Sequence, residues 1–164
     1  MKRINKDEYF MSLAIMASLR STCLHRKVGC ILIDSNDHIL STGYNGAPRE
    51  ITNCCDSLKC SRTTSGEKLD ECLAVHAEQN AIIQCKDNFK ITTIYCTNLP
   101  CPTCYKMILN TSALNLFYLY NYKNKLIKKD VFTSTSLKFN RVELSPFLLK
   151  LTLAILPKTG EEYE

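Results

Sequence analysis

Apolar side chains near the start of the chain repeat at helical intervals. Tyr9, Leu13, Met16 and Ala17 recur at helical spacing, which places them on one helix face. Asn5 stands ahead of them with Glu8 three positions later, the spacing of a capping box. A helix is predicted over residues 6–20. The period then shortens. K-V-G-C-I-L-I-D at 27–34 is apolar and β-branched, Ser35-Asn36-Asp37 has turn chemistry, and H-I-L-S-T follows at 38–42. Together they predict an antiparallel hairpin. G-Y-N-G-A-P at 43–48 is the loop at its exit. Residues 49–71 have no sustained period. A helix is predicted over 73–85, a strand over 91–97, a helix over 101–110 with Pro102 in its first turn, and a strand over 114–120. A short helix near 124–131, a strand over 138–144, a helix over 146–156 and a frayed acidic tail at 161–164 complete the pattern. Strands followed by helices imply an α/β sandwich around one sheet. There is no repeat or low-complexity tract, so residues 1–164 are expected to form one domain.

Composition sharpens this picture. At 164 residues and 45% hydrophobic content, the chain is large enough for one real core. No apolar run is long enough to span a bilayer. The opening residues turn acidic at once and lack a signal-peptide core, so a cytoplasmic protein with no membrane partner is expected. The net charge of +5 is dispersed, apart from Arg26-Lys27 and Lys128-Lys129. That describes a solvated, lysine-rich surface more than a nucleic-acid track. A phosphorylated small molecule needs only a few such cations. The ten cysteines change more. In a cytosolic chain they point to metal or catalysis and not to disulfides. Cys30, Cys85 and Cys96 lie in apolar strand-like or helical contexts and read as small buried hydrophobes. Cys23, Cys54, Cys55, Cys60 and Cys72 gather in the first half. Three of them fall in the unpatterned 49–71 stretch, an unusually long loop unless something such as a bound metal orders it.

The chemistry is concentrated in His76-Ala77-Glu78 and Pro100-Cys101-Pro102-Thr103-Cys104. One imidazole and two thiols make a three-donor set for Zn²⁺, which leaves the fourth tetrahedral position open, as in catalytic sites. Both donor groups fall at predicted helix starts, where the electropositive terminus favours thiolate. Glu78, two residues from His76, is placed to move protons without binding the metal. Taken alone, His76 reads as a core residue and Cys-x-x-Cys as a redox pair or half a structural site. The combination H-x-E…P-C-x-x-C is the signature of zinc-dependent nucleobase deaminases.

Four blocks make the resemblance narrower. They are Arg20-Ser21-Thr22-Cys23 with Lys27-Val28-Gly29; Gly43-Tyr44-Asn45-Gly46-Ala47-Pro48; Ser65-Gly66 with Cys72 through Ile82; and Pro100–Cys104 with Lys106-Met107-Ile108. Across residues 20–110 the chain resembles the deoxycytidylate (dCMP) deaminases of the cytidine deaminase superfamily. The resemblance implies a three-layer α/β/α sandwich around one mixed sheet of about five strands. It implies catalytic Zn²⁺ on His76, Cys101 and Cys104, with Glu78 as catalytic acid–base. The expected reaction is conversion of dCMP to dUMP with release of ammonia, which supplies dUMP for thymidylate synthesis. A homohexamer activated by dCTP and inhibited by dTTP is implied as well. Asn45 matches a nucleotide-contacting asparagine, with Gly43, Tyr44 and Gly46 beside it, although Asn-Gly also reads as a plain turn. Arg26 and Lys27 are candidate phosphate contacts, with surface charge as the alternative. Cys23, Cys54, Cys60 and Cys72 match a second, structural zinc of the prokaryotic and phage branch. Cys55 competes with Cys54, and family spacing favours Cys54; His25 is a spare ligand. The resemblance implies that residues 49–72 form a metal-organised insert. One departure is the segment 110–114, which lacks the glycine that usually ends the preceding helix. Asn110 in a left-handed cap would replace it. Past residue 120 the likeness fades.

Two other classes fit parts of the pattern. A tRNA adenosine deaminase shares both donor blocks, but the cysteine-bearing insert and the lack of a concentrated basic, aromatic tract oppose it. A non-catalytic zinc module for assembly or nucleic-acid binding has no use for Glu78.

Overall fold

A computed structural model of the chain describes residues 3–57, 60, 72–121 and 135–155. Helix α1, Lys6–Ser18, opens with the expected capping box: Glu8 N donates to Asn5 Oδ1 at 2.8 Å and Asn5 N to Glu8 Oε2 at 3.1 Å. The other Glu8 oxygen accepts from Ser145 N at 2.7 Å, so one carboxylate ties the start of α1 to the residue before the last helix. Strands β1, Gly29–Ile33, and β2, Ile39–Tyr44, form the predicted hairpin. Its turn is held by Asp34, whose Oδ1 accepts from Asn36 N and His38 N at 2.8 and 2.9 Å, while Asp37 adopts φ 66°. A short helix α2, Cys54–Ser57, follows, then α3, Ala77–Gln84. The remaining elements are β3, Thr93–Asn98; α4, Pro102–Ile108; β4, Asn115–Tyr120; β5, Lys138–Arg141; and α5, Pro146–Ile155.

The five strands form one mixed sheet in the order β2-β1-β3-β4-β5. β1 is antiparallel to both neighbours, whereas β3, β4 and β5 run parallel. Antiparallel β1–β2 needs only a tight turn. Parallel β3–β4 needs a crossover, which α4 supplies. Strand alternation then divides the core. Cys30, Leu32, Ile94, Cys96 and Leu116 pack with Ala77, Ala81, Tyr105 and Ile108 from α3 and α4. Ile31, Ile33, Tyr95 and Leu119 face the opposite way and pack with Phe10, Met11, Ala14 and Ile15 of α1. The result is the expected three-layer α/β/α sandwich. Phe10, Tyr95 and Phe117 stack in series at 5.2 and 4.8 Å between ring centroids.

Three local expectations need correction. The helix predicted from residue 73 starts at Ala77, because Val75 exchanges both its backbone hydrogen bonds with Gly46, at 2.8 and 3.1 Å. That bridge leaves His76 extended, at φ −72° and ψ 158°, as the N-cap. The last strand stops at Arg141. Asn110 does not enter the left-handed region, since the positive-φ non-glycine residues described are Asp37 and Glu50. The end of α4 is instead closed by Asn110 N to Met107 O and Thr111 N to Ile108 O, at 3.1 and 2.9 Å. Asn110 Nδ2 also donates to Lys106 O at 3.1 Å, so the carbonyls find donors without a glycine. The predicted helix near 124–131, the acidic tail and most of the 49–71 stretch lie outside the described residues. Among those described, no helix is long and apolar enough to cross a membrane.

Candidate active site

The site is assembled where two helices begin on the same face of the sheet. His76 is the N-cap of α3 and Cys101 the N-cap of α4, which β3 delivers through Leu99-Pro100. Pro102 fixes the first helical residue, where no amide partner is needed, and Cys104 follows two residues on. Gln79 Oε1 accepts from His76 N at 2.8 Å and holds the N-cap extended. His76 Nδ1 lies 3.4 Å from Cys101 Sγ and 3.3 Å from Cys104 Sγ. Among the described residues these form a group of three donors whose ligand atoms lie within 4.8 Å of one another. Bond lengths of about 2.0–2.3 Å to tetrahedral Zn²⁺ require donor–donor edges of about 3.3–3.8 Å. The two nitrogen–sulfur separations fit that polyhedron.

The electrostatics suit a soft cation. Cys104 donates to Cys101, and this holds the Cys101 thiol down to about 4 despite burial, with His76 assisting. The same bond, reinforced by burial, pushes Cys104 up. Two sulfurs sharing one proton need a cation before both can be thiolates. Glu78 is buried on the first turn of α3. Burial pushes its carboxyl above the ordinary value, opposed by its own backbone amide and by His76. Behind the site, Cys30 and Cys96 are opposed across β1 and β3 and fully buried, and Cys85 is nearly so, as small hydrophobes.

The G-Y-N-G loop flanks the site. Asn45 is buried, and its amide is engaged at both ends. Oδ1 accepts from Val28 N and Nδ2 donates to Arg26 O, both at 2.8 Å. Its first task is to bind loop 43–48 to the segment entering β1. Arg26 is half-buried and Lys27 exposed. Tyr44 lies beneath the Arg20 guanidinium, 5.9 Å from ring centroid to carbon, and Gly46 is the residue bridged to Val75. Gly43 packs so closely on α3 that a Cβ would lie 2.1 Å from Ala77 O.

Cys54 is buried at the start of α2. Burial pushes its thiol up first, then the neighbouring Cys60, Cys23 and Cys72. Cys55, next in sequence, raises it as well, so the four thiols of the expected set and Cys55 share one electrostatic neighbourhood, though not as tightly as the His76 group. Cys55 is exposed and donates to Asp56 at 3.3 Å. Sequence reasoning missed Gln79, Asn80 and Arg20. Gln79 had a signal, the capping-box spacing from His76.

Fold and donor set together define the class, a cytidine-deaminase-like sandwich with a His-Cys-Cys metal-site candidate and a buried glutamate. Residues 4–120 match the family model of the cytidine and deoxycytidylate deaminase zinc-binding region, and the chain belongs to this family. It is 39% identical over 121 residues to a deoxycytidylate deaminase of Saccharomyces cerevisiae, covering 71% of this chain and 38% of the relative. A deoxycytidylate deaminase of Mycobacterium phage D29 is 34% identical over 72% of this chain and 97% of its own. The chain therefore spans about two fifths of the yeast relative but nearly all of the phage one. The dCMP deaminase of cyanophage S-TIM5, solved in complex with dCMP and dUMP, superposes with a TM-score of 0.67 at 28% identity, over 85% of this chain and all of that one.

Proposed function

We propose that this chain deaminates dCMP to dUMP by hydrolysis, adding water and releasing ammonia. The observation that carries the reading is the juxtaposition of His76, Cys101 and Cys104 with the buried Glu78. Membership of the deaminase family and the likeness to a solved dCMP deaminase support it. His76 Nδ1, Cys101 Sγ and Cys104 Sγ would hold Zn²⁺, which when bound lowers the pKa of water and supplies a nucleophile at neutral pH. Glu78 accepts one proton from the attacking water and delivers it to the ring nitrogen; it then moves the remaining proton of the added hydroxyl to the amine, which departs as ammonia as the carbonyl forms. A carboxyl raised by burial holds a proton between such transfers more readily than an exposed one. His76 and the two cysteines are fixed by helix starts, so the acid–base group and the donors share one rigid frame. Loop 43–48, with Gly43, Tyr44, Asn45 and Gly46, forms the nucleotide rim. Arg26 and Lys27 adjoin it as cations for the phosphate.

The same reading gives Cys23, Cys54, Cys60 and Cys72 a structural zinc that organises residues 49–72, with Cys54 favoured over Cys55 because it is the buried one. It includes a cytoplasmic homohexamer regulated by dCTP and dTTP. The test is an ammonia-release screen over dCMP, dCTP, CMP, deoxycytidine and a tRNA anticodon loop, with and without dCTP as effector. dCMP is expected to be turned over best. Glu78→Gln should lower turnover by about 10²–10⁴-fold or more, the range for loss of acid–base catalysis, while zinc content is unchanged. Turnover of Glu78→Gln within a few-fold of the parent overturns the assignment.

A further inference from the structure

We infer that Asn80 is a positioning residue for substrate: its side chain latches the nucleotide loop to the helix that carries Glu78. The inference rests on the dCMP reading above for the identity of the substrate. Asn80 stands two residues after Glu78. Its backbone N–H donates to His76 O at 2.9 Å, the first hydrogen bond of α3. Its side-chain Nδ2 donates to Tyr44 O at 2.8 Å across 36 positions of sequence. One residue therefore grips the metal-donor segment with its backbone and the last residue of β2 with its amide. The next residue in the loop, Asn45, fixes residues 26–28 through its own amide. The one after that, Gly46, pairs with Val75, immediately before His76. Loop 43–48 is thus joined at two points, one on each side of Asn45, to α3 through Asn80 and to the segment leading into α3 through Val75. The Gly46–Val75 pairing is backbone only, whereas the Tyr44 point depends on the Asn80 side chain.

This arrangement separates two tasks. Glu78 and the three donors are set by α3 and α4 and do not need the Tyr44 carbonyl held. The loop needs both anchors to present Tyr44, Asn45 and Gly46 in one conformation. Release of the Tyr44 anchor adds loop conformations that substrate must select against, which weakens apparent binding before it affects chemistry. Loss of one side-chain hydrogen bond to a half-buried carbonyl corresponds to about three- to tenfold in an equilibrium constant.

A control is built into the same interface. Ser41 Oγ donates to Ala81 O at 2.6 Å. It joins the same strand to the same helix, away from loop 43–48. The experiment measures kcat and KM for dCMP, bound zinc and Tm in the parent, Asn80→Ala, Asn80→Asp and Ser41→Ala. Asn80→Asp keeps the size but removes the donor, and Asn80→Ser serves if the alanine variant does not fold. The expected result is KM raised about three- to tenfold in the Asn80 variants, with kcat within about twofold and zinc unchanged. Asn80→Asp should be at least as impaired as Asn80→Ala. Ser41→Ala should lower Tm and leave KM unaltered. KM unchanged in folded Asn80→Ala overturns the latch, and so does a rise of equal size in Ser41→Ala. Turnover of dCMP by the parent tests the functional reading on its own. If the parent does not turn it over, amide-exchange protection of Gly46 N–H decides the latch: it should fall in Asn80→Ala and persist in Ser41→Ala.

Discussion

Asn98, the last residue of β3, is buried, yet among the described residues its Nδ2 has no hydrogen-bond partner; its Oδ1 accepts from Thr97 Oγ1 at 3.3 Å. A buried donor left unmade costs about 1–3 kcal/mol, whereas a neutral hydrogen bond contributes about 0.5–1.5 kcal/mol. Valine is closer to asparagine in volume than leucine is, suits a strand and has no such donor. Asn98→Val should therefore raise the unfolding free energy by about 1 kcal/mol after loss of the Thr97 bond, read by urea denaturation. A fall in stability would show that the amide is satisfied. The contrast with His76, Cys101 and Cys104 explains what the sequence can disclose about single residues. His76, Cys101 and Cys104 were legible because imidazole and paired thiols beside a carboxylate are rare outside metal chemistry. Asn45 was legible only as a turn residue or a ligand contact. Its actual partners, Val28 N and Arg26 O, lie on a segment 17 and 19 positions away, and no local pattern encodes them.

Between elements, glycines on opposite faces of the sheet let a strand approach a helix backbone closely. A Cβ on Gly29 would meet Ala14 O at 1.9 Å and Ser18 N at 2.6 Å in α1. A Cβ on Gly43 would meet Ala77 O at 2.1 Å and Ala81 N at 2.5 Å in α3. Both neighbours are backbone, so the helix itself must move. Overpacking of this kind costs about 1–3 kcal/mol, and Gly29→Ala and Gly43→Ala should lose comparable stability. Their effects on metal should differ. Ala77 lies between His76 and Glu78, so Gly43→Ala should lower zinc occupancy as well, while Gly29→Ala retains it. Equal zinc content in both variants would show that α3 shifts without disturbing its donors. The same elements show where periodicity succeeded. The Asn5-x-x-Glu8 box, the hairpin and the β3–α4–β4 order followed from local pattern. The start of α3 did not, because the Gly46–Val75 bridge is a long-range event that takes the backbone groups a helix from residue 73 would use. The end of α4 failed for the opposite reason. Local i→i+3 bonds and the Asn110 side chain satisfied carbonyls for which the sequence suggested a left-handed cap.

On the scale of the molecule, the sheet separates a largely apolar half under α1 from a half under α3 and α4 that carries His76, Cys101, Cys104 and Glu78. The second thiol group, Cys23, Cys54, Cys60 and Cys72, lies outside both apolar clusters. Cys54 has Cys60, Cys23 and Cys72 as electrostatic neighbours, each raising its thiol. Four thiolates left together repel one another; a divalent cation reverses the sign of that interaction and closes a four-sulfur site. Metal binding of this kind contributes directly to folding free energy. Metal-replete protein should therefore contain two zinc ions per chain, separable by mutation. Cys101→Ser should remove one ion and turnover together and leave Tm nearly unchanged, because α4 is held by the core through Tyr105 and Ile108. Cys60→Ser should remove the other ion, lower Tm and increase proteolysis within residues 49–72, while dCMP turnover persists below the new melting point. Elemental analysis that finds one ion per metal-replete chain would refute the second site. Two ions in the parent, with Tm unchanged after the loss of one in Cys60→Ser, would refute its structural role.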